Sequence, residues 1–274
     1  MWLFIKKCFI KRKKIIKISL KTTKLRCFLL FYVIIYLGDS MIPKKIHYVW
    51  VGGKEKPKDI KKCMKTWKKY LKDYEIIEWN ESNFDVFANP FTKHAYEAKK
   101  WAFVSDYIRA YAIYNEGGIY LDTDNCVLKN LDDLLSNRAF VGYENFEYPF
   151  TACFGAEKGH PLVKDMLDYF DGIDFSFDKN NQMENVNTKS VSDILIKKYK
   201  CKKGNIEQTL KEDIKVYKDN VLCNPSKDSY VIHVFTGTWM EGKKPLKRML
   251  SKFLKVRINT PKKAEFYRKF VGRE

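Results

Sequence analysis

Short apolar runs alternate along this chain with longer stretches whose apolar residues recur every three to four positions. That alternation predicts strands interleaved with helices, an α/β fold with a mainly parallel central sheet. Ile46–Val51 is apolar and β-branched and ends at Gly52-Gly53, so it reads as a buried strand followed by a turn. Pro57 opens a helix with Ile60, Cys63, Met64, Trp67, Tyr70 and Leu71 on one face and lysines on the other. Tyr74–Trp79 is a second strand. Tyr96–Asn115 reads as one long helix, stopped by Gly117-Gly118. Ile119-Tyr120-Leu121 follows as a strand that runs straight into Asp122-Thr123-Asp124. Further strands fall at Phe140–Tyr143 and Tyr230–Phe235, and helices at Pro161–Phe170 and Val191–Tyr199. Pro245–Ile258 is an amphipathic helix with Leu246, Met249, Leu250, Phe253 and Leu254 on one side and Lys247, Arg248, Lys252, Lys255 and Arg257 around the rest.

Composition narrows the partners. The 274 residues suffice for one large α/β domain, and the net charge of +19 suits nucleic acid, an anionic membrane or anionic small substrates. No zinc-finger spacing and no RNA-binding aromatic signature accompanies the charge, which argues against nucleic acid. The seven cysteines show no CxxC spacing and no histidine cluster, so they read as reduced thiols in a cytosolic protein.

Residues 1–40 stand apart, with ten Lys/Arg, one acid (Asp39) and an eleven-residue apolar run, Cys27–Leu37. A spanning helix needs about twenty residues. Gly38-Asp39-Ser40 fits a signal cleavage site poorly. Two readings stay open: a membrane-associating leader, or an upstream segment with translation starting at Met41. The expected organisation is therefore a basic leader over 1–40, a catalytic domain over 41–240 and a basic amphipathic segment over 241–274.

Asp122 and Asp124 sit where a buried strand leaves the sheet, the usual ligand edge of an open α/β sheet. Two carboxylates so close repel unless a cation intervenes, and oxygen ligands suit Mg²⁺ or Mn²⁺. Asp106 and Arg109 share a face of the preceding helix, amid Trp101, Ala102, Phe103, Val104, Ile108, Ala110 and Ala112. That apolar setting suggests the pair points into a site. Trp50, before a Gly-Gly turn, is either core or an aromatic plane for a nucleotide base. Glu144 and Asn145 follow the next strand, where a ligand held at this edge could reach them.

Ser105-Asp106-Tyr107-Ile108-Arg109 followed by Gly117-Gly118-Ile119-Tyr120-Leu121-Asp122-Thr123-Asp124 resembles the signature of the DXD-containing sugar transferases of glycosyltransferase family 32. These include fungal mannosyltransferases and bacterial enzymes of capsule and lipopolysaccharide synthesis. More distantly, the pattern is similar to the catalytic domain of the large clostridial glucosylating toxins. Tyr48-Val49-Trp50-Val51-Gly52-Gly53 and Ile232-His233-Val234-Phe235-Thr236-Gly237-Thr238-Trp239 resemble the flanking motifs, with Val234 and Thr238 where many members have histidine and serine.

The resemblance implies a GT-A-like single domain with its nucleotide site at the carboxyl ends of the strands. It implies a sugar-nucleotide donor (a UDP-sugar before a GDP-sugar), Mn²⁺ or Mg²⁺, and transfer with retention. Carried over, Asp122, Asp124 and Arg109 are the catalytic residues, and Val49, Trp50, Asp106, Arg109, Tyr120 and Trp239 hold the donor. Asp122, Asp124 and His233 face the metal, although His233 reads equally as a core histidine. A glycan or lipid-linked saccharide is the expected acceptor, in cell-surface polysaccharide synthesis. The expected location is the cytoplasm, with peripheral association at the inner face of the cell membrane. Two rivals remain: a haloacid-dehalogenase-type phosphatase, for which Asn125 and Cys126 are atypical, and a non-enzymatic basic nucleic-acid binder.

Overall fold

A computed structural model describes residues 41–173, 175, 186–237 and 246–271. The expectations for the leader, Thr238 and Trp239 lie outside these residues.

The chain begins with β1 (Lys45–Val49), α1 (Lys58–Tyr70), β2 (Glu75–Trp79), α2 (Pro90–Glu97), α3 (Trp101–Glu116), β3 (Gly118–Leu121) and β4 (Asn125–Val127). It continues with β5 (Ala139–Gly142), β6 (Cys153–Ala156), α4 (Pro161–Asp171), α5 (Val186–Lys197), β7 (Gln208–Thr209) and β8 (Ile214–Tyr217). The last elements are α6 (Asp219–Leu222), β9 (Val231–His233), α7 (Leu246–Lys255) and α8 (Pro261–Phe270). Seven strands form one sheet in the order β2-β1-β3-β6-β5-β8-β7. β1 runs parallel to both β2 and β3, and β5 parallel to β8, while β6 and β7 are antiparallel to their neighbours. Five strands thus point one way, the mainly parallel central sheet expected.

Alternate residues of β3 serve two apolar layers. Tyr120 packs with Val104, Ile108 and Ala112 of α3, whereas Ile119 and Leu121 pack with Trp67 and Leu71 beneath α1. Both faces are therefore covered, which is why β3 reads as an unbroken apolar run. From β1 the chain crosses by α1 to β2 on one side, then returns by α2 and α3 to β3 on the other. The crevice outside the carboxyl ends of β1 and β3 is consequently the topological switch point, where open α/β sheets bind ligands.

The single helix expected over Tyr96–Asn115 is two helices. Lys99 adopts the left-handed region at φ +56°. The Lys100 and Lys99 backbone N–H groups close back on Ala95 and Tyr96 carbonyls at 2.8 and 2.9 Å. This is a helix-ending motif that usually carries glycine, and no glycine marks it here. The predicted Val191–Tyr199 helix starts five residues earlier, at Val186.

Gly117 and Gly118 are required by sterics. Their φ values are +66° and +112°, and a Cβ on Gly118 would lie 2.8 Å from the Lys45 carbonyl oxygen and 2.9 Å from His47 Nε2. His47 locks the same corner. Trp79 Nε1 donates to its Nδ1 at 2.9 Å, so the proton must sit on Nε2, which donates to the Gly117 carbonyl at 2.9 Å. Burial pushes this imidazole below its usual pKa, outweighing the Gly117 bond that favours the charged ring.

Two consequences are measurable. Gly118→Ala lowers the urea midpoint by an amount equivalent to about 2 kcal/mol, with an unchanged m-value, because strain and the close carbonyl contact act together. His47 is neutral when folded and binds a proton more readily when unfolded. Its share of the stability is complete above the unfolded pKa near 6.5 and is lost as pH falls towards the lower folded value. Urea denaturation across this window should show stability falling with pH, and the slope should be shallower in His47→Gln.

Candidate functional site

The carboxyl end of β3 carries the acidic motif, and three separate parts of the chain converge on it. From α3, Arg109 Nη2 lies 2.9 Å from Asp106 Oδ1 and 3.3 Å from Asp122 Oδ1. The guanidinium stacks over the Tyr120 ring at 4.6 Å. Its Nε donates to the Ser105 carbonyl at 3.3 Å, and the Ser105 hydroxyl is 3.0 Å from the Tyr120 hydroxyl. Asp106 and Arg109 are 8% and 7% exposed, so this is a desolvated pair facing the motif. Burial drives the Asp106 carboxyl up to about 7, and Asp122 adds to the rise against the opposing pull of Arg109. Burial would ease the proton off Arg109, but Asp122, Tyr120 and Asp106 more than reverse this and hold it charged.

The other two parts meet at Asp124. β4 follows the motif and pairs antiparallel with β9, setting Asn125 opposite His233. The loop after β9 then wraps the aspartate. Val234 N–H donates to the Asp124 carbonyl at 3.2 Å, and the Thr236 backbone N–H and hydroxyl donate to Asp124 Oδ2 at 2.8 and 3.0 Å. Thr236 and Asp124 are 112 residues apart in sequence. Phe235 takes φ +58° to make the turn and stacks on the His233 ring at 3.8 Å. Asp124 Oδ2 is thus fixed, while Oδ1 faces His233 Nε2 at 3.2 Å. Burial alone would raise the Asp124 carboxyl, yet His233 and Thr236 hold it at about 2. Burial would lower the His233 imidazole, but Asp124 overrides it and carries the ring well above its usual range.

Asp122, Asp124 and His233 each offer a ligand atom, and these atoms lie within 4.8 Å of one another. Two carboxylate oxygens and a ring nitrogen suit a divalent cation such as Mn²⁺ or Mg²⁺, with remaining positions left to water or ligand oxygens. The donor set therefore fits the metal that the sequence pattern implies.

The remaining expected residues divide. Val49 is 7% exposed and packs in the core. Trp50 lies at the carboxyl end of β1, beside β3. Its indole N–H donates to the Lys54 carbonyl at 2.6 Å, and Lys56 Nζ lies 5.3 Å from its ring. Asn145 closes a turn, its Oδ1 accepting from the N–H groups of Glu147 and Tyr148 at 2.9 and 3.0 Å. Glu144 shares the site's field: burial raises its carboxyl pKa and Asp122 adds to that, while His233 and Lys255 oppose it. Phe235 and Thr236 lie inside the late motif and Lys255 on the polar side of the C-terminal helix, but sequence reasoning assigns none of them to the site. Lys255 is 9% exposed and places Nζ 4.8 Å from the Phe235 ring. The five cysteines among the described residues (63, 126, 153, 201 and 223) are buried and free.

Comparison with known proteins bears on these elements. Residues 57–141 match the glycosyltransferase sugar-binding region containing a DXD motif. The chain is 28% identical over 138 residues to inositol phosphoceramide mannosyltransferase 3 of Schizosaccharomyces pombe, covering 47% of this chain and 37% of that protein. It is 25% identical over 219 residues to the uncharacterized glycosyltransferase L373 of Acanthamoeba polyphaga mimivirus, covering 73% and 84%. The chain thus spans well under half of the yeast relative. Among solved structures it is similar to the PaToxG glycosyltransferase, with a TM-score of 0.43 and 18% identity over 64% of this chain and 80% of that one. Within the matched span, Asp122-Thr123-Asp124 is the one Asp-x-Asp, so the match to the DXD-containing sugar-binding region falls on the acidic motif at the end of β3.

Proposed function

We propose that this chain is a metal-dependent glycosyltransferase that moves a sugar from a sugar nucleotide, a UDP-sugar in the first instance, to a glycan or lipid-linked acceptor in cell-surface polysaccharide synthesis, with retention. One observation carries the reading: Asp122, Asp124 and His233 converge at the switch point of a parallel sheet, with Arg109 and Asp106 braced behind them. A phosphatase or a nucleic-acid binder would not call for the matched sugar-binding region.

Each side chain then has a task. Asp124, Asp122 and His233 would hold the cation, the imidazole giving up its proton as the metal binds. When bound, the cation supplies positive charge against the diphosphate that departs with the nucleotide. Thr236 fixes Asp124 so that Oδ1 alone turns to the site. Arg109 positions Asp122 and offsets its charge. Asp106 holds Arg109 and offers a carboxylate edge to donor hydroxyls. Trp50 borders the crevice as a plane for the base, and Tyr120 packs beneath the guanidinium. Glu144, half-buried beyond β5, faces the acceptor side.

The test is sugar-nucleotide hydrolysis with and without Mn²⁺. Asp122→Asn and Asp124→Ala should each lower the metal-dependent rate by on the order of 100-fold or more, the usual scale for losing electrostatic stabilisation of a leaving group. Asp124→Ala also frees Thr236, so thermal melts must accompany it. Asp122→Asn leaves that loop intact but removes a partner of Arg109, so its melt is compared as well. A folded Asp122→Asn protein with the full metal-dependent rate would exclude the assignment.

A further inference from the structure

The C-terminal helices turn their apolar side outward. On α7, Met249, Leu250 and Phe253 are 54%, 57% and 53% exposed, whereas the lysines opposite face the domain. Lys252 Nζ bonds Asp59 Oδ2 at 2.9 Å, and Lys255 is buried against Phe235. This inverts the ordinary amphipathic arrangement, in which the apolar stripe packs inward. The helix is anchored instead just past its end, where Val256 and Ile258 join Cys63, Cys126, Ile232 and Ala264 in a small core.

α8 repeats the feature. Ala264 is buried, while Phe266 and Phe270 are 62% and 70% exposed and stack on each other at 4.6 Å. The Ser251 and Tyr267 hydroxyls, 3.1 Å apart, tie α8 to α7. Residues 246–271 hold nine Lys/Arg and one acid, Glu265. Arg257, Lys262, Lys263, Arg268 and Lys269 are exposed, and the Arg257 guanidinium lies 3.3 Å from the Phe253 ring centroid.

We infer that α7 and α8 form a docking surface for an anionic lipid bilayer. Large exposed aromatics and aliphatics bordered by arginine and lysine, with hardly an acid among them, match the acyl boundary and the anionic headgroups respectively. The charge commits the surface to lipid over a second copy of the chain, because two such faces would set like charges against each other. Among the described residues no helix is long and apolar enough to cross a membrane, so this is attachment in the plane of the interface. The placement has a consequence. Lys255 on the inner side of α7 touches the Phe235 ring, which stacks on His233, so a bilayer on the outer side lies about one helix diameter, roughly 10 Å, from the Asp124 loop. If the transferase reading holds, a membrane-borne acceptor is brought to the site, but the docking itself does not rest on that reading.

The experiment is co-sedimentation of the full chain with vesicles of phosphatidylcholine alone or mixed with phosphatidylglycerol, which needs no turnover. The wild type should pellet with the anionic vesicles and be released by high salt. Leu250→Glu/Phe253→Glu and, separately, Phe266→Glu/Phe270→Glu should each lower the partition by about ten-fold or more while melting like the wild type, since all four side chains are exposed. Variants that bind as well as the wild type would overturn the proposal. So would equal pelleting with neutral vesicles, or light scattering that shows the wild type self-associating through this face without binding vesicles.

Discussion

Three carboxyl groups crowd the carboxyl end of β3, and the cost of charging them away from water and beside one another is the constraint around which this part of the molecule is built. Like charges about 4 Å apart cost on the order of 4 kcal/mol at a partly screened protein site. Asp106 and Asp124 are almost wholly buried, so water relieves little of this. Without a metal, two cationic side chains offset it within the chain, and a bound metal would take over the part played by the His233 proton. Arg109 bridges Asp106 and Asp122, and His233 faces Asp124. Each cation is delivered by a different structural device, and much of the surrounding sequence serves that delivery.

For Arg109 the device is rigid packing. α3 must lie flat on β3 to set the guanidinium over the Tyr120 ring, and it must reverse into β3 at once. Gly117 and Gly118 allow that reversal, with Gly118 pressed against the Lys45 carbonyl and His47. The buried His47, bonded to both Trp79 and Gly117, then joins β1, β2 and this corner as one unit. For His233 the device is a short ladder. β4 leaves the acidic motif and pairs with β9, which brings residue 233 opposite residue 125. The left-handed Phe235 turns the following loop back so that Thr236 can grip Asp124. A non-glycine residue held at positive φ beside the buried Asp124 carboxylate is the kind of local strain that surrounding contacts must sustain.

This division explains what the sequence could disclose. The α3 device is local: Asp106 and Arg109 three apart, a double glycine, then an apolar run into Asp122. Every part of it is adjacent in the chain, so periodicity and turn chemistry expose it. The sheet strands flanking it were legible for the same reason. The β4–β9 ladder is not local. Asn125–Val127 is too short to show a period, and its partner lies more than a hundred residues on, so His233 remained balanced between ligand and core. Thr236 and Lys255 carry no pattern of their own. The break at Lys99 was hidden because a lysine occupies a position that glycine usually marks. The outward face of α7 was visible as a stripe, but its direction depends on Asp59 and Phe235, which only the folded chain brings near.

The charge of the whole chain and the charge of the site have opposite signs, and they act over different distances. The chain totals +19, with nearly half of that in residues 1–40, while the groove at β3 is lined with carboxylates. The basic field extends over roughly a Debye length, about 10 Å at moderate salt, and draws anionic solutes or surfaces towards the protein. At contact distance the carboxylates, only partly balanced by Arg109 and His233, oppose an anion. In the proposed function, a cation held among Asp122, Asp124 and His233 would reverse the local sign. Encounter and commitment are thereby separated: the distributed lysines govern the first and are screened by salt. The buried cluster governs the second, largely sheltered from salt, and in the proposed function a bound metal would decide it.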